Sequence, residues 1–246
     1  MENFWSRYKR NHAAVFGLFV VVLIIVMAIT ASFLYPEDPF RLVGKPLSKP
    51  LTNGFLLGSD SLGRDVASGI VHGAKTSLLI GFVATLVSVF IGIFFGAFAG
   101  YFGGIIDDIL MRVTEIFQTI PSFIFAILLV AIMKPSMSSI VIAIAVVSWP
   151  GVARLVRGEF LAVKNREFVQ ACHTLGMSDF RIMLWEILPN CLSPIIVVGS
   201  LMVATAILIE SGLAFLGLGD PNIMSWGFLI GAGRTMLRSA WWVCTF

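Results

Sequence analysis

The chain has 246 residues, of which 58% are hydrophobic and 13% are charged, and its mean hydropathy is +0.94. Soluble domains are roughly half apolar and a quarter charged, so this composition excludes an ordinary soluble protein and indicates a membrane protein. The net charge of +3 is small and the basic residues are scattered, which predicts no nucleic-acid partner. The three cysteines have neither metal-ligand spacing nor the even count of a disulfide framework, so we expect no metal site.

Five uncharged runs are long enough to cross a bilayer, because a spanning helix needs about 20 largely apolar residues. The runs are residues 13–35, 76–106, 116–133, 135–153 and the stretch from 187 to Glu210. They are apolar on every side, whereas the strands of a membrane barrel alternate apolar and polar positions. The sequence therefore predicts an all-α, polytopic membrane helical bundle. The second run is longer than one span needs, so we expect it to include a loop.

The residues before the first run indicate its orientation. Three of them are basic: Arg7, Lys9 and Arg10. Basic flanks generally stay in the cytoplasm, so we expect a cytoplasmic N-terminus. The run exceeds the roughly 15 apolar residues of a secretory signal, which predicts a retained anchor helix. Alternation then places residues 36–75 and 216–240 outside the cell and residues 154–186 inside.

The end of the sequence, residues 240–246, is apolar and aromatic. Aromatic residues are enriched where spans meet the membrane interface. We therefore expect five complete spans here and a sixth span that this sequence does not include.

Glycines recur every four residues along the second run, at positions 92, 96, 100 and 104. This spacing places small residues on one helix face, where another backbone approaches closely. We predict that Gly92, Gly96 and Gly100 pack against a neighbouring helix, although a ridge beside a translocation path has the same pattern. Pro121, Pro150, Pro189 and Pro194 predict kinks or helix starts.

The charged segment 166–190 predicts two short amphipathic helices. The apolar face of the first carries Phe168, Ala171, Cys172 and Leu175, and that of the second carries Phe180, Met183, Leu184 and Ile187. Between them, Gly176 suits a left-handed C-cap, Ser178 suits the next N-cap, and Asp179 favours the positive end of the second helix. We expect Pro189 to end that helix. Two uses remain open, namely docking into a partner protein and lying on lipid headgroups.

The residues Gln170, Ala171, Cys172 and Gly176, followed by Leu188 and Pro189, resemble the EAA loop of ATP-binding-cassette importer permeases. In that family the loop forms a coupling helix that sits on an ATPase subunit. The family more often has Glu and Ala where this chain has Gln170 and Cys172. The resemblance implies an ATPase-coupling role for nine residues: Glu167, Gln170, Ala171, Cys172, Gly176, Ser178, Arg181, Leu188 and Pro189.

A second segment, 57–66, is similar to the signature of the second permease subunit of dipeptide, oligopeptide and nickel importers. The signature residues are Gly58, Asp60, Gly63, Arg64 and Asp65. Residues 73–78, 210–219 and 225–227 are similar to other parts of that pattern, so the resemblance covers nearly the whole chain. It implies a type I importer transmembrane fold, with residues 1–72 as tail, anchor helix and external loop and residues 73–246 as the permease domain.

The resemblance also implies a division of labour. This chain would form half of a path for peptides or similar small solutes in a bacterial or archaeal inner membrane. Its partners would be a homologous second permease, two ATPase subunits, an external binding protein and membrane lipid. We expect no enzyme activity and no cofactor on this chain, with ATP and Mg²⁺ bound by the ATPase subunits.

Other candidates carry weaker signals. Residues 69–76 approximate a phosphate-binding loop, but Ala74 replaces its second glycine, so we predict no nucleotide site. Glu210 and Ser211 lie within an apolar run, which is consistent with a place on the path or with helix joining. We interpret Asp107, Asp108, Arg112 and Glu115 as a solvated turn. The alternative function is an ion-gradient-driven transporter or channel, but the chain shows no evident internal duplication and has too few intramembrane charges for a proton pathway.

Overall fold

The computed structural model describes residues 8–246, so the expectation for Arg7 lies outside the described part of the chain. Within that part the regular structure is helical, and extended pairing is limited to two isolated bridges, Thr52 with Phe55 and Ser59 with Asp65. The chain forms two compact units. Unit 1 comprises the chain up to Leu78 together with Pro221–Phe246, and unit 2 comprises Leu79–Asp220.

Residues 35–65 separate the first two helices, and the later connections are shorter. In chain order the helices are α1 (His12–Leu34), α2 (Val66–Phe102), α3 (Gly104–Gln118), α4 (Ser122–Met133), α5 (Met137–Val163), α6 (Glu167–Thr174), α7 (Asp179–Phe215), α8 (Trp226–Gly233) and α9 (Trp242–Thr245). A π-helical segment, Ile182–Ile187, lies within α7.

Within residues 8–246, four helices are long and apolar enough to cross a membrane: α1, α2, α5 and α7. The pair α3 and α4 has the composition of a fifth span but bends by 79° at its break. Pro121 is the residue immediately before α4, where its fixed φ and missing N–H suit a helix start. The structure therefore confirms the predicted multi-span, all-α fold.

The second predicted run begins too late, because α2 starts at Val66 and already contains His72 and Lys75. Asp65 provides the start signal, since its Oδ1 accepts a hydrogen bond from the Ala67 N–H at 3.0 Å. The nucleotide-loop segment 69–76 consequently lies inside a helix. Its backbone amides take part in the hydrogen bonding of the helix and are not arranged to bind a phosphate.

The predicted glycine packing is confirmed in unit 2, where α2 lies against α5. A Cβ added at Gly92 would lie 2.5 Å from Val152 Cβ, and one at Gly100 would lie 2.6 Å from Phe160 Cβ. A Cβ at Gly96 would overlap the carbonyl oxygen of Ala153. Only glycine permits this backbone approach. Gly104 is not part of the contact, because it is the first residue of α3.

The prediction of a solvated turn is wrong for Asp107. This residue lies in the first turn of α3, and its two carboxylate oxygens accept hydrogen bonds from Arg157 Nε and Nη2 of α5, at 2.5 and 2.6 Å. The turn is earlier and shorter, because Gly103 and Gly104 reverse the chain with positive φ. Arg112 and Glu115 form an exposed pair at 3.3 Å, in keeping with solvation.

Candidate functional site

The 166–190 loop contains the helix, break and helix that its sequence predicts. Gly176 has φ +76° and follows α6 at the C′ position. Its N–H donates to the His173 carbonyl at 2.9 Å, and the Met177 N–H donates to the Cys172 carbonyl at 3.1 Å. These two bonds form a Schellman motif, which satisfies the last carbonyls of α6 and turns the chain sharply.

Ser178 occupies the N-cap position of α7 with extended backbone angles, as predicted. Within the described part of the chain, however, its hydroxyl makes no capping hydrogen bond. Asp179 is the first residue of α7, where its negative charge favours the positive end of the helix.

The inner side of the loop is part of the hydrophobic core of unit 2. Val169, Ile182 and Ile187 are fully buried, and they belong to one cluster with Val156 and Phe160 of α5. Because this packing joins the loop to two spanning helices, the loop cannot move far without moving the ends of those helices.

The predicted apolar faces are partly wrong. In α6 the buried residue is Val169, with Cys172 half-buried, while Phe168 and Leu175 are exposed. Both stripes of α6 are apolar with helical spacing, so periodicity alone does not select between them. In α7, Met183 and Ile187 are buried as predicted. The third buried residue is Ile182, whereas Phe180 and Leu184 are exposed.

Pro189 does not end the second helix, contrary to the prediction. The helix continues from Asp179 to Phe215 through the π segment Ile182–Ile187. At the end of that segment the Leu188 N–H donates to the Met183 carbonyl, five residues earlier. The wider π turn gives room to the proline ring, which would otherwise clash with the carbonyl of residue 185.

Large apolar side chains remain exposed on the loop, and we call them the apolar loop surface. They are Phe168, Leu175, Phe180, Leu184 and Trp185. Leu175 is 80% exposed and Trp185 is 73% exposed. An aromatic and aliphatic surface of this kind is typical of a protein or membrane contact.

The predicted coupling residues lie on and around this surface. Most are exposed: Glu167, Gln170, Ala171, Gly176, Ser178, Arg181 and Pro189. Cys172 and Leu188 are half-buried and pack against the core cluster. The loop therefore exposes most of the predicted coupling residues together with its apolar loop surface, while its interior packs into the bundle.

A polar cluster that no sequence pattern predicts links this loop to α2. The Tyr101 hydroxyl donates to Asp179 Oδ1 at 2.7 Å and lies 3.4 Å from His173 Nε2. Tyr101 and Asp179 are 78 residues apart, so no local sequence pattern connects them.

The signature residues of segment 57–66 build a compact turn in unit 1. Asp60 is buried, and its Oδ1 accepts hydrogen bonds from the N–H groups of Leu62 and Arg64, each at 2.8 Å. Gly63 has φ +83°, and a Cβ there would overlap the Gly44 carbonyl oxygen. These contacts explain why this turn needs glycine and aspartate at those positions.

The other three signature residues, Gly58, Arg64 and Asp65, also make contacts within unit 1. A Cβ at Gly58 would lie 2.7 Å from the Ser48 carbonyl oxygen. The Arg64 guanidinium lies 4.9 Å from the centre of the Phe40 ring, within cation–π distance. Burial raises the pKa of the Asp65 carboxyl, and the amides of Ala67 and Ser68 oppose that rise. Asp65 also lines a cavity of about 290 Å³ with Tyr35, Glu37, Asp38, Arg41 and Ser68 among other residues.

Glu210 is buried, with 2% exposure, near the C-terminal end of α7, and Ser211 is half-buried. A charged cavity in unit 2 has a volume of about 330 Å³ and is lined by Asp107, Asp108, Met111, Glu115, Arg154 and Arg157. Among residues 8–246, no group of three or more metal-ligating side chains is close enough to hold an ion.

Two family models match the chain. Residues 92–242 match the model described as "Binding-protein-dependent transport system inner membrane component". Residues 1–49 match the model described as "N-terminal TM domain of oligopeptide transport permease C".

Curated relatives match over nearly the whole chain. The dipeptide transport system permease protein DppC of Escherichia coli (strain K12) is 41% identical over 100% of this chain and 84% of the relative. DppC of Bacillus subtilis (strain 168) is 40% identical over 98% and 76%. The oligopeptide transport system permease protein OppC of Escherichia coli (strain K12) is 39% identical over 98% and 80%.

A solved structure supports the fold. The MetNI methionine ABC transporter in an inward-facing conformation contains a chain with a TM-score of 0.60, at 17% sequence identity, over 71% of this chain and 84% of that chain. At this identity the match shows the fold alone.

Proposed function

This chain belongs to the family of binding-protein-dependent transport system inner membrane components, the permeases of ATP-binding-cassette importers, and from that membership we propose that it forms half of a path for peptides or similar small solutes. Such a permease is not itself an enzyme. The two relatives are dipeptide and oligopeptide transport permeases by name, which supports peptides as the solute class.

The single observation that carries the coupling role is the two-sided construction of the 166–190 loop. Its interior, with Val169 and Ile182, is continuous with the core of the bundle, whereas Leu175 and Trp185 are exposed. A loop of this kind passes a force from a partner to the spanning helices. We propose that an ATPase subunit docks on the apolar loop surface and on the predicted coupling residues around it.

We place ATP and Mg²⁺ on two ATPase partners. The lack of a phosphate cradle at residues 69–76, which are helical, supports this division. When the ATPase pair closes, the docked loop would move, and α5 and α7 would move with it between inward-open and outward-open states.

We further propose that a homologous second permease completes the path and that an external binding protein delivers the solute. The family description, which refers to binding-protein-dependent transport, supports that delivery. The basic residues Lys9 and Arg10 before α1 support a cytoplasmic N-terminus in a bacterial inner membrane. The burial of Glu210 supports a helix-joining role for this residue over direct contact with solute.

The docking proposal is tested by a double variant, Phe180→Ala with Trp185→Ala, in the complete importer. We expect the permease to remain in the membrane but to lose most of its ATPase subunits during purification, because two large apolar anchors are removed. Phe82→Ala is the matched control, since Phe82 is an exposed aromatic residue of α2 outside the loop. Full ATPase retention by the double variant would instead assign the apolar loop surface to lipid.

A further inference from the structure

Tyr101, His173 and Asp179 form a polar cluster at the junction of three helices. Tyr101 lies one residue before the end of α2, His173 lies in the last turn of α6, and Asp179 begins α7. The Tyr101 and His173 rings are stacked, with 6.3 Å between centroids and 25° between planes. Lys164 Nζ also donates to the Tyr101 carbonyl, at 3.4 Å.

The chemistry of the three groups sets the direction of their hydrogen bonds. An ionised carboxylate only accepts, so the phenol proton of Tyr101 points to Asp179 Oδ1, 2.7 Å away. The phenol oxygen then accepts from His173 Nε2–H, at 3.4 Å. The bond to Asp179 is charge-assisted and therefore stronger than a bond between neutral groups.

This cluster differs in kind from the packing around it. The apolar packing around it, in a cluster that includes Ala97 of α2 and Val169 of the loop, is non-directional and permits small sliding movements. A charge-assisted hydrogen bond has a preferred distance and angle, so it resists such sliding. Because His173 and Asp179 lie on opposite sides of the Gly176 turn, one tyrosine contacts both halves of the loop.

We propose that Tyr101 is a positioning residue of the transport cycle, which holds the 166–190 loop in register with α2 through Asp179 and His173. Movement of the loop is thereby transmitted to α2 as well as to α5 and α7. Since the glycine ridge of α2 packs closely on α5, the two helices then move as one body. The inference rests on the proposed function, in which the loop receives the force from the ATPase.

The test compares Tyr101→Phe with the wild-type importer, assembled with its ATPase subunits and binding protein in proteoliposomes. The variant keeps the stacked ring and loses only the hydroxyl. Radiolabelled alanyl-alanine is the transport probe. We expect the maximal transport rate per ATP hydrolysed to fall about threefold or more, with unchanged KM for the loaded binding protein and unchanged ATPase retention. Tyr35→Phe, the same chemical change in unit 1, should leave the transport rate per ATP hydrolysed unchanged.

A double-mutant cycle and a solute-independent measurement complete the test. Asp179→Ala should show a coupling defect of the same kind as Tyr101→Phe, and the defect of the double variant should be smaller than the sum of the two single defects, because both variants remove the hydrogen bond between Tyr101 and Asp179. Amide hydrogen exchange of residues 167–179 in the membrane-embedded permease should be about threefold faster in Tyr101→Phe, since the loop is less firmly held.

The outcomes separate the two proposals. A wild-type complex that retains no ATPase, or that does not transport alanyl-alanine, would overturn the proposed function. In that case the exchange measurement would still test whether Tyr101 holds the loop. If Tyr101→Phe shows the same transport per ATP hydrolysed and the same amide hydrogen exchange as the wild type, the positioning role is overturned. Additive defects in the double variant would overturn the assignment of Asp179 as the partner of Tyr101.

Discussion

Gly96 of α2 lies so close to Ala153 of α5 that a side-chain carbon at Gly96 would overlap the Ala153 carbonyl oxygen. Gly158, in contrast, lies in α5 with space around it, because a Cβ there would meet no neighbouring heavy atom of the described chain within 4 Å. Two glycines of the same helix pair therefore have different structural requirements.

The first prediction concerns this contact. Gly96→Ala should destabilise the solubilised permease by about 1–3 kcal/mol, because α2 and α5 must separate to admit the methyl group. Gly158→Ala should be neutral, or stabilising by up to about 1 kcal/mol, because alanine is the better helix former. Thermal unfolding in detergent measures both. Equal effects at the two positions would contradict the close packing.

The second prediction concerns the turn of the loop. Gly176→Val should leave membrane insertion intact but reduce transport per ATP hydrolysed, because a β-branched residue at φ +76° is strained by about 1–2 kcal/mol or more. Gly176→Asn should be milder, since asparagine tolerates this conformation better. Proteoliposome transport with parallel ATPase measurements provides the comparison. Normal ATP-driven uptake by the valine variant would exclude the coupling role of this turn.

The third prediction concerns the ion pair between α3 and α5. Asp107→Asn should cost about 1–2 kcal/mol, since Arg157 loses a bidentate partner but remains partly solvated, with 36% side-chain exposure. Glu115→Gln is the matched control, because its pair with Arg112 is exposed and should change stability by less than about 0.5 kcal/mol. Denaturation midpoints of the two variants check this order. The exchange of charges, Asp107→Arg with Arg157→Asp, should recover part of the loss.

The fourth prediction concerns Asp65 and pH. Burial raises the pKa of this carboxyl above its ordinary value of 3.8, so the folded protein favours the protonated form. The resulting stabilisation is complete below the ordinary pKa and is lost as pH rises through the raised, folded-state pKa. Asp65→Asn keeps an N-cap acceptor without this titration.

The expected measurement is therefore a difference between two stability curves. As pH rises from the ordinary pKa of 3.8 through the raised, folded-state pKa, the thermal stability of the wild type should decline relative to that of Asp65→Asn. Parallel curves over this range would show that the carboxyl titrates alike in the folded and unfolded chain.

Much of the fold was predictable because its signals are local. Long uncharged runs predict spanning helices, since each run must satisfy its own backbone groups in lipid. The four-residue glycine spacing predicts a packed face, and Gly176 predicts a left-handed turn, because both follow from the geometry of a single helix or its end. These predictions agree with the structure at Gly92, Gly96, Gly100 and Gly176.

The errors occur where the local sequence is compatible with two structures. Either apolar stripe of α6 suits a helix, and the structure buries the one with Val169 because that side meets α5 and α7. Pro189 normally predicts a helix end, but the π turn before it absorbs the steric conflict. The predicted start of α2 was too late, because a spanning helix also extends through residues that carry charge, such as Lys75.

Sequence alone determined that this protein crosses the membrane as helices, that α2 presents a glycine face, and that a broken helical loop lies between two spans. Tertiary structure decided which side of that loop is exposed and which distant groups meet. Asp107 and Arg157 are 50 residues apart, and Tyr101 and Asp179 are 78 residues apart. The reason is physical: helical periodicity is a property of neighbouring residues, whereas an ion pair or a hydrogen bond between helices depends on how those helices pack.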